Sequence, residues 1–118
     1  MHWQFGEKLG ALRDEGVLLL GSGNVVHNLR LARFANGAAP FAWNVSFDRH
    51  VRASLERRDA AALCDYASRE DGRLSVPTPE HYLPLLYPAA TRRDDDALTT
   101  IVDGYEAGSI SMFAFSIG

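Results

Sequence analysis

The sequence is short of cysteine, of long apolar runs and of cationic excess, and each shortage excludes a class of protein. One cysteine, Cys64, stands in 118 residues. An internal disulfide is therefore impossible, and the composition fits a reducing, cytoplasmic compartment. No apolar run approaches the roughly 18 residues that a membrane span needs. The start, Met1 to Glu7, has neither a charged leader nor an apolar stretch of the secretory kind. Twelve Lys and Arg face fifteen Asp and Glu, a net charge of −3. Eleven of the twelve cations are arginine, scattered among acids as in Arg92-Arg93-Asp94-Asp95-Asp96. Phosphate binding needs clustered positive charge, so nucleic acid is excluded as the main partner. What remains is one domain over 1–118, 47% hydrophobic, a size at which roughly 65% of the unfolded surface is buried on folding.

The apolar spacing sets out the elements. Phe5, Leu9 and Leu12 recur at helical intervals between Trp3 and Glu15, and Gly16 supplies a left-handed stop. Val17-Leu18-Leu19-Leu20 has the length and composition of a strand covered on both faces. Gly21-Ser22-Gly23-Asn24 breaks it, and Val25 to Phe34 resumes a helical period. Helix, strand, glycine turn and helix predict an αβα unit. Beyond the loop Asn36–Pro40, the stripe Trp43, Phe47, Val51 and Leu55 predicts an amphipathic helix, with Arg49, Arg52 and Glu56 opposite. Asp59 suits the cap of a short helix holding Leu63 and Tyr66, and Ser68–Gly72 reads as a turn. Thr78 and Pro79 suit the cap and first position of another helix, which Pro84 then disturbs. Thr99–Val102 and Ser109–Ile117 read as strands joined by a hairpin over Gly104–Gly108.

Four histidines are the residues best suited to chemistry. His2 and His50 read as surface side chains, Cys64 as packed, and Tyr82 and Tyr87 as core. His27 comes just after the glycine turn, at the start of the expected helix and beside the carboxyl end of the expected strand, where α/β folds bind ligands. There a helix dipole disfavours imidazolium and leaves a ring able to accept a proton or bind a metal. The alternative is a histidine that only hydrogen-bonds the turn. His81 comes after Thr78-Pro79-Glu80 in a backbone pinned by prolines. It is either a ligand held in place, or part of a turn that docks Tyr82, Leu85 and Leu86 into the core. No local metal motif links the two, and two histidines fall short of the three or four protein ligands that Fe(II) and Zn sites take. Gly21-Ser22-Gly23 could instead cradle a phosphate, but it lacks the third glycine of a dinucleotide fingerprint and the Lys-Ser/Thr of a P-loop. Its serine is also at the wrong spacing for a nucleophile elbow.

Two stretches in order resemble a known family. The segment from Gly16 to Arg30, with Gly21-Ser22-Gly23-Asn24-Val25-Val26-His27 at its centre, is similar to the glycine-turn-histidine segment of the 4,5-DOPA extradiol dioxygenase-like proteins. These belong to the class III, LigB-type, extradiol ring-cleavage dioxygenases. Pro77-Thr78-Pro79-Glu80-His81-Tyr82-Leu83-Pro84-Leu85 is similar to their second signature, and Gly108–Met112 to their C-terminal strand. The resemblance implies a three-layer α/β/α fold, present here as a partial, C-terminal-half version with a mixed sheet. It also implies a mononuclear Fe(II) or Zn(II) site that opens catechol-type rings with O2. In that frame His81 corresponds to a metal ligand. His27 corresponds to the histidine beside the metal, an acid/base that also ligates Zn.

The departures are as informative. Family members are roughly twice as long, and their first half brings two further ligand histidines, one in a Ser-His-Gly-like turn; neither motif occurs here. His2-Trp3 precedes a helix, does not come after a strand, and is not counted as one of them. Met112-Phe113 stands where the family more often has a polar or basic residue after the methionine. The resemblance therefore implies a half-site, completed by an N-terminal half or by a homo-oligomeric partner. The alternative is a non-catalytic α/β remnant acting as a metal-binding or oligomerising domain.

Overall fold

The stripe Trp43–Leu55 forms α2, Ala42–Arg57, and the rest of the chain is built around it. The computed structural model describes residues 1–118. Phe47, Val51 and Leu55 are buried on α2 together with the polar Asn44, Asp48 and Ser54. Each apolar side chain of this kind taken out of water contributes roughly 1.5–3 kcal/mol. Trp43 stays half-buried, stacked on Phe41 with ring centroids 5.3 Å apart. The helix stops at Arg58, whose left-handed backbone (φ 56°) returns its N–H to the carbonyls of Leu55 and Ser54. The Asp59 carboxylate then accepts from the Ala62 N–H at 3.0 Å and caps α3, Ala60–Cys64, as its sequence position predicts. Leu63 takes the inward position on this short helix. Cys64, about 100° further round, is exposed, which corrects the expectation that it is packed. Ser68–Gly72 is more than a turn: a 3-10 turn, Tyr66–Ser68, leads into α4, Glu70–Ser75.

Preceding these, α1, His2–Leu9, runs into a 3-10 turn, Gly10–Glu15, closed by Gly16 at φ 75°. The Phe5 stripe is only partly covered: Phe5 is 55% exposed and meets Tyr87 edge-on, and Leu9 and Leu12 are half-buried. Gly6 is the buried residue, lying against Tyr87 and Ala90 of α5, Leu86–Ala90. A side chain there would hold the helices apart. Prolines divide the segment before α5 into two 3-10 turns, Pro79–His81 and Leu83–Leu85, with Pro84 breaking the helix as expected. Tyr82, Leu85 and Leu86 dock into the core. The fully buried Tyr82 donates its hydroxyl to the Leu63 carbonyl at 2.8 Å, and burial pushes its phenol well above the usual value.

The C-terminal part forms β1, Leu98–Val102; β2, Tyr105–Glu106; β3, Ile110–Ser111; and β4, Ala114–Ile117. β1 pairs antiparallel with β4, Leu98 opposite Ile117 and Thr100 opposite Phe115, while β2 pairs with β3 inside the same hairpin. The hairpin is pinned to α2 by buried polar groups. Ser111 donates to Asp48 at 2.6 Å, and the Asn44 amide donates to the carbonyls of Gly108 and Ile110. Arg52 and the Tyr105 hydroxyl also donate to Asp48, at 2.7 and 3.2 Å, so the buried carboxylate has the partners its burial demands. The whole is a mixed α/β unit, a partial version of an α/β fold.

Two further elements differ from their sequence reading. Val25–Phe34 is not a helix apart from one 3-10 turn, Leu29–Leu31. Val25 and Val26 are buried, and the backbone here is committed elsewhere: the Ser111 N–H donates to Val26 O, Asn28 N–H to Ser109 O and His27 N–H to Ser75 O. Tertiary pairing of β-branched residues thus overrides a helical period. The second is Val17–Leu20, which is neither helical nor paired with another strand, with Leu18 86% and Leu20 87% exposed. No neighbouring strand lies alongside to cover it.

The glycine turn after the apolar run is fixed by close backbone packing. Gly21 and Gly23 lie on the proline-bounded turns; a Cβ on Gly23 would stand 2.1 Å from the His81 carbonyl oxygen, and one on Gly21 2.5 Å from that of Pro84. The Asn24 N–H donates to the same His81 oxygen at 2.9 Å. The polar stretch Arg92–Asp96 works as a second clasp. Asp96 receives the Arg13 guanidinium through both oxygens, at 2.5 and 2.8 Å, and the Arg93 N–H at 2.6 Å.

Both clasps can be tested by substitution. Gly23→Ala should destabilise the chain by about 1–3 kcal/mol, the usual cost of overpacking. Gly10→Ala, whose added methyl meets nothing closer than 4.0 Å, should leave the urea midpoint unchanged or slightly raised. The Arg13 hydrogen bonds, then the Arg93 N–H, hold the Asp96 carboxyl well below the usual range. A depressed carboxyl stabilises the fold above its unfolded value of about 4 and loses that contribution as pH falls. The stability gap between the protein and Asp96→Asn should therefore be widest near about pH 6 and narrow toward about pH 2 in denaturant titrations.

Candidate functional site

The two motif histidines, far apart in sequence, meet in the fold. The rings of His27 and His81 lie with centroids 5.0 Å apart at an interplanar angle of 53°. His27 reaches this point from an antiparallel bridge with Ile110, between β3 and the last residues of α4. His81 reaches it as the last residue of the Pro79–His81 turn. The Gly23–His81 backbone contact brings the two segments together, so the glycine turn helps to position the site through its backbone. Its glycines face carbonyl oxygens, the negative ends of peptide dipoles, an environment unsuited to a phosphate.

The two rings sit in different surroundings. His27 is 8% exposed, with Nδ1 3.1 Å from the Asn24 carbonyl oxygen and Nε2 2.9 Å from that of Thr78. Both neighbours are acceptors, so a neutral ring can donate to only one of them. The expectation of a helix N-terminus beside His27 is corrected: the segment is bridged and not helical, so position and hydrogen bonding come from backbone carbonyls. His81 is exposed and lines a groove of about 430 Å³ with Gly23, Asn24 and Val25. Thr78 holds the capping position but gives its hydroxyl to Glu80 at 2.6 Å, so no side-chain cap forms. That hydrogen bond keeps the Glu80 carboxyl below its usual range, next to His81. The packing reading of the His81 segment holds, with Tyr82, Leu85 and Leu86 turned inward, and His81 itself is exposed.

The remaining histidines do not join them. His2 packs edge-on against Tyr87, its Nδ1 2.7 Å from the phenol oxygen. His50 is half-buried against Phe47, not the free surface residue its sequence neighbours suggested. No three His, Cys, Asp or Glu side chains converge on a point where they could hold a metal ion. The chain therefore supplies two imidazoles, donors of the right class for Fe(II) or Zn(II), but not a complete ligand set. Residues that sequence reading missed are those supporting His27. Asn24 gives it a carbonyl and anchors its own amide to Ser111 O at 3.0 Å; the Ser109 hydroxyl donates to Asn28 O at 2.7 Å. Their only sequence signal is a polar residue inside a valine-rich or strand-like run.

No family model matches the chain. Over 120 aligned residues it is 45% identical to the 4,5-DOPA dioxygenase extradiol of Escherichia coli K12, covering 99% of this chain and 44% of that protein. Proteins of the same name from Beta vulgaris and Portulaca grandiflora are 28% and 34% identical, with 93% and 71% of this chain covered. The crystal structure of the uncharacterized protein JW3007 from Escherichia coli K12 superposes with a TM-score of 0.87 at 44% identity. That match covers 97% of this chain and 48% of the solved one. Over nearly its whole length the chain is similar in sequence to the 4,5-DOPA dioxygenase extradiol of Escherichia coli and in fold to the solved structure, and it spans less than half the length of each.

Proposed function

We propose that the chain is the C-terminal part of an extradiol, catechol-type ring-cleaving dioxygenase, with His27 and His81 as its contribution to a non-haem metal and proton-transfer site. The observation that carries the reading is the meeting of these two histidines at 5.0 Å across otherwise separate segments. The name shared by its relatives supports it. His81, exposed on a backbone pinned by Pro79 and Pro84, is the metal ligand of this half. His27, nearly buried and held by two carbonyls, is the acid/base; it ligates the metal only if a ring nitrogen leaves its carbonyl. Fe(II) or Zn(II), when bound, supplies a Lewis acid and a template for catecholate and O2. His27 holds or releases a proton beside the ring substrate, at Nε2 facing Thr78 O or at Nδ1 facing Asn24 O. The missing ligands come from an N-terminal half or, in the homo-oligomeric variant, from a second copy. The competing reading, a non-catalytic metal-binding or oligomerising domain, draws on the absence of a third ligand.

The test is metal content and catechol cleavage, measured anaerobically and then with O2. It compares the chain alone with the chain co-expressed beside the part of the E. coli relative that it does not span. Alone, it should carry little metal and show no turnover. The complemented protein should hold near-stoichiometric metal and cleave a catechol. His81→Ala should lower metal affinity by at least the ~10- to 100-fold that losing a ligand's supporting partner costs. Cleavage by the chain alone would overturn the half-site, and a complemented protein without metal or turnover would overturn the dioxygenase reading.

A further inference from the structure

The groove beside His81 has an unusual wall. From Leu18 to Gly23 no backbone N–H or C=O makes a hydrogen bond within the chain; pairing stops at the Val17 N–H and resumes at the Asn24 N–H. Six consecutive residues without a partner are what a strand leaves when its neighbour is missing. The side chains agree. Leu18, Leu19 and Leu20 are apolar on both alternating faces, the pattern of an interior strand, yet Leu18 and Leu20 are almost wholly in solvent. The opposite wall is β4 with Phe113 before it, and β4 has β1 on one side only. Two strand edges, one wholly unpaired and one half-paired, thus face each other across the groove.

From this we infer that the groove is a vacant strand position, filled by an apolar β-strand from the part of the dioxygenase fold outside this chain. The strand runs between Leu18–Leu20 and β4 and joins them into one sheet. The inference rests on the reading that the chain is one part of a larger fold, and not on the chemistry proposed for that fold. Three observations select the occupant. The chain spans 44% of the E. coli relative and 48% of the solved structure, so more than half of such a fold lies elsewhere. Arg13 and His81 are the only ionisable side chains lining the groove, which calls for an uncharged segment. The volume, about 430 Å³, would also admit a small molecule, but a small ligand cannot satisfy six residues of unpaired backbone. A peptide strand does so through main-chain bonds, with side-chain pockets giving selectivity.

The experiment uses the whole chain with the unspanned part of the E. coli relative as the probe, read by hydrogen exchange and by titration of binding. The free chain should exchange the Leu18–Gly23 amides at unprotected rates. On binding, these amides and those on the open edge of β4 should slow by about 100-fold or more. Leu18→Asp sits at an exposed position, so the free chain's denaturation midpoint should not move. Affinity for the probe should fall at least ~10-fold, because a carboxylate would be buried unpaired. The inference is overturned if no complex forms, if one forms while Leu18–Gly23 stays unprotected, if Leu18→Asp binds as tightly as the parent, or if protection arises from a second copy of this chain. A complex that protects these amides but neither retains metal nor cleaves catechols would sink the proposed chemistry and leave the strand position standing.

Discussion

One backbone hydrogen bond organises the site: the Asn24 N–H to the His81 carbonyl, made possible because Gly23 has no side chain in the way. It ties the start of the Val25–Asn28 segment to the proline-bounded turns. It also fixes how far His27 and His81 can stand from each other. The geometry is robust because each end of the bond is anchored in turn. Tyr82, next to His81, is sealed in the core and bonded to the Leu63 carbonyl, while Val26, next to His27, is sealed against the hairpin and pairs with Ser111. Two flexible imidazoles are thereby mounted on rigid neighbours, as a site that must hold its groups to fractions of an ångström requires.

Legibility in the sequence tracks the range of the forces involved. The stripe on α2, the Asp59 cap, the stop at Gly16 and the interruption by Pro84 depend on residues within a few positions of each other, and all appear where local chemistry places them. Val25–Phe34 departs from its helical period because its backbone partners, Ser75, Ser109 and Ser111, lie about 50 to 85 positions further along the chain. A period of 3.6 cannot announce a pairing made by another segment. The stripe on α1 fails for a related reason. Helix-to-helix contact there is closest at Gly6, which has no side chain, so the bulky residues beside it are only partly covered. The histidine pair was legible only through motif resemblance; composition and spacing left both positions open between chemistry and packing.

Charge has an architectural task in this chain, since acids and arginines that look scattered in sequence are paired across elements. Asp48 sits in the core with Arg52, Ser111 and Tyr105 around it, and makes the hairpin a fixed lid on α2. Arg13 and Arg58 reach the short acidic stretch from two other segments, at Asp96 and Asp94, while Arg92 and Arg93 reach outward from it to the Leu55 carbonyl and to Asp14. The guanidinium fork suits this better than an ammonium would, because it bonds a carboxylate and a carbonyl together. Five of the eleven arginines, Arg13, Arg52, Arg58, Arg69 and Arg93, form ion pairs within the chain.

The bare run from Leu18 to Gly23 has a consequence for the life of the chain before any assembly. An unpaired apolar edge is a template for whatever strand meets it first. Few charged residues stand nearby to repel a wrong one. While the edge stays unpaired, the molecule is open to edge-to-edge aggregation, and the hazard grows with concentration. Whatever covers this edge therefore also keeps the molecule in solution.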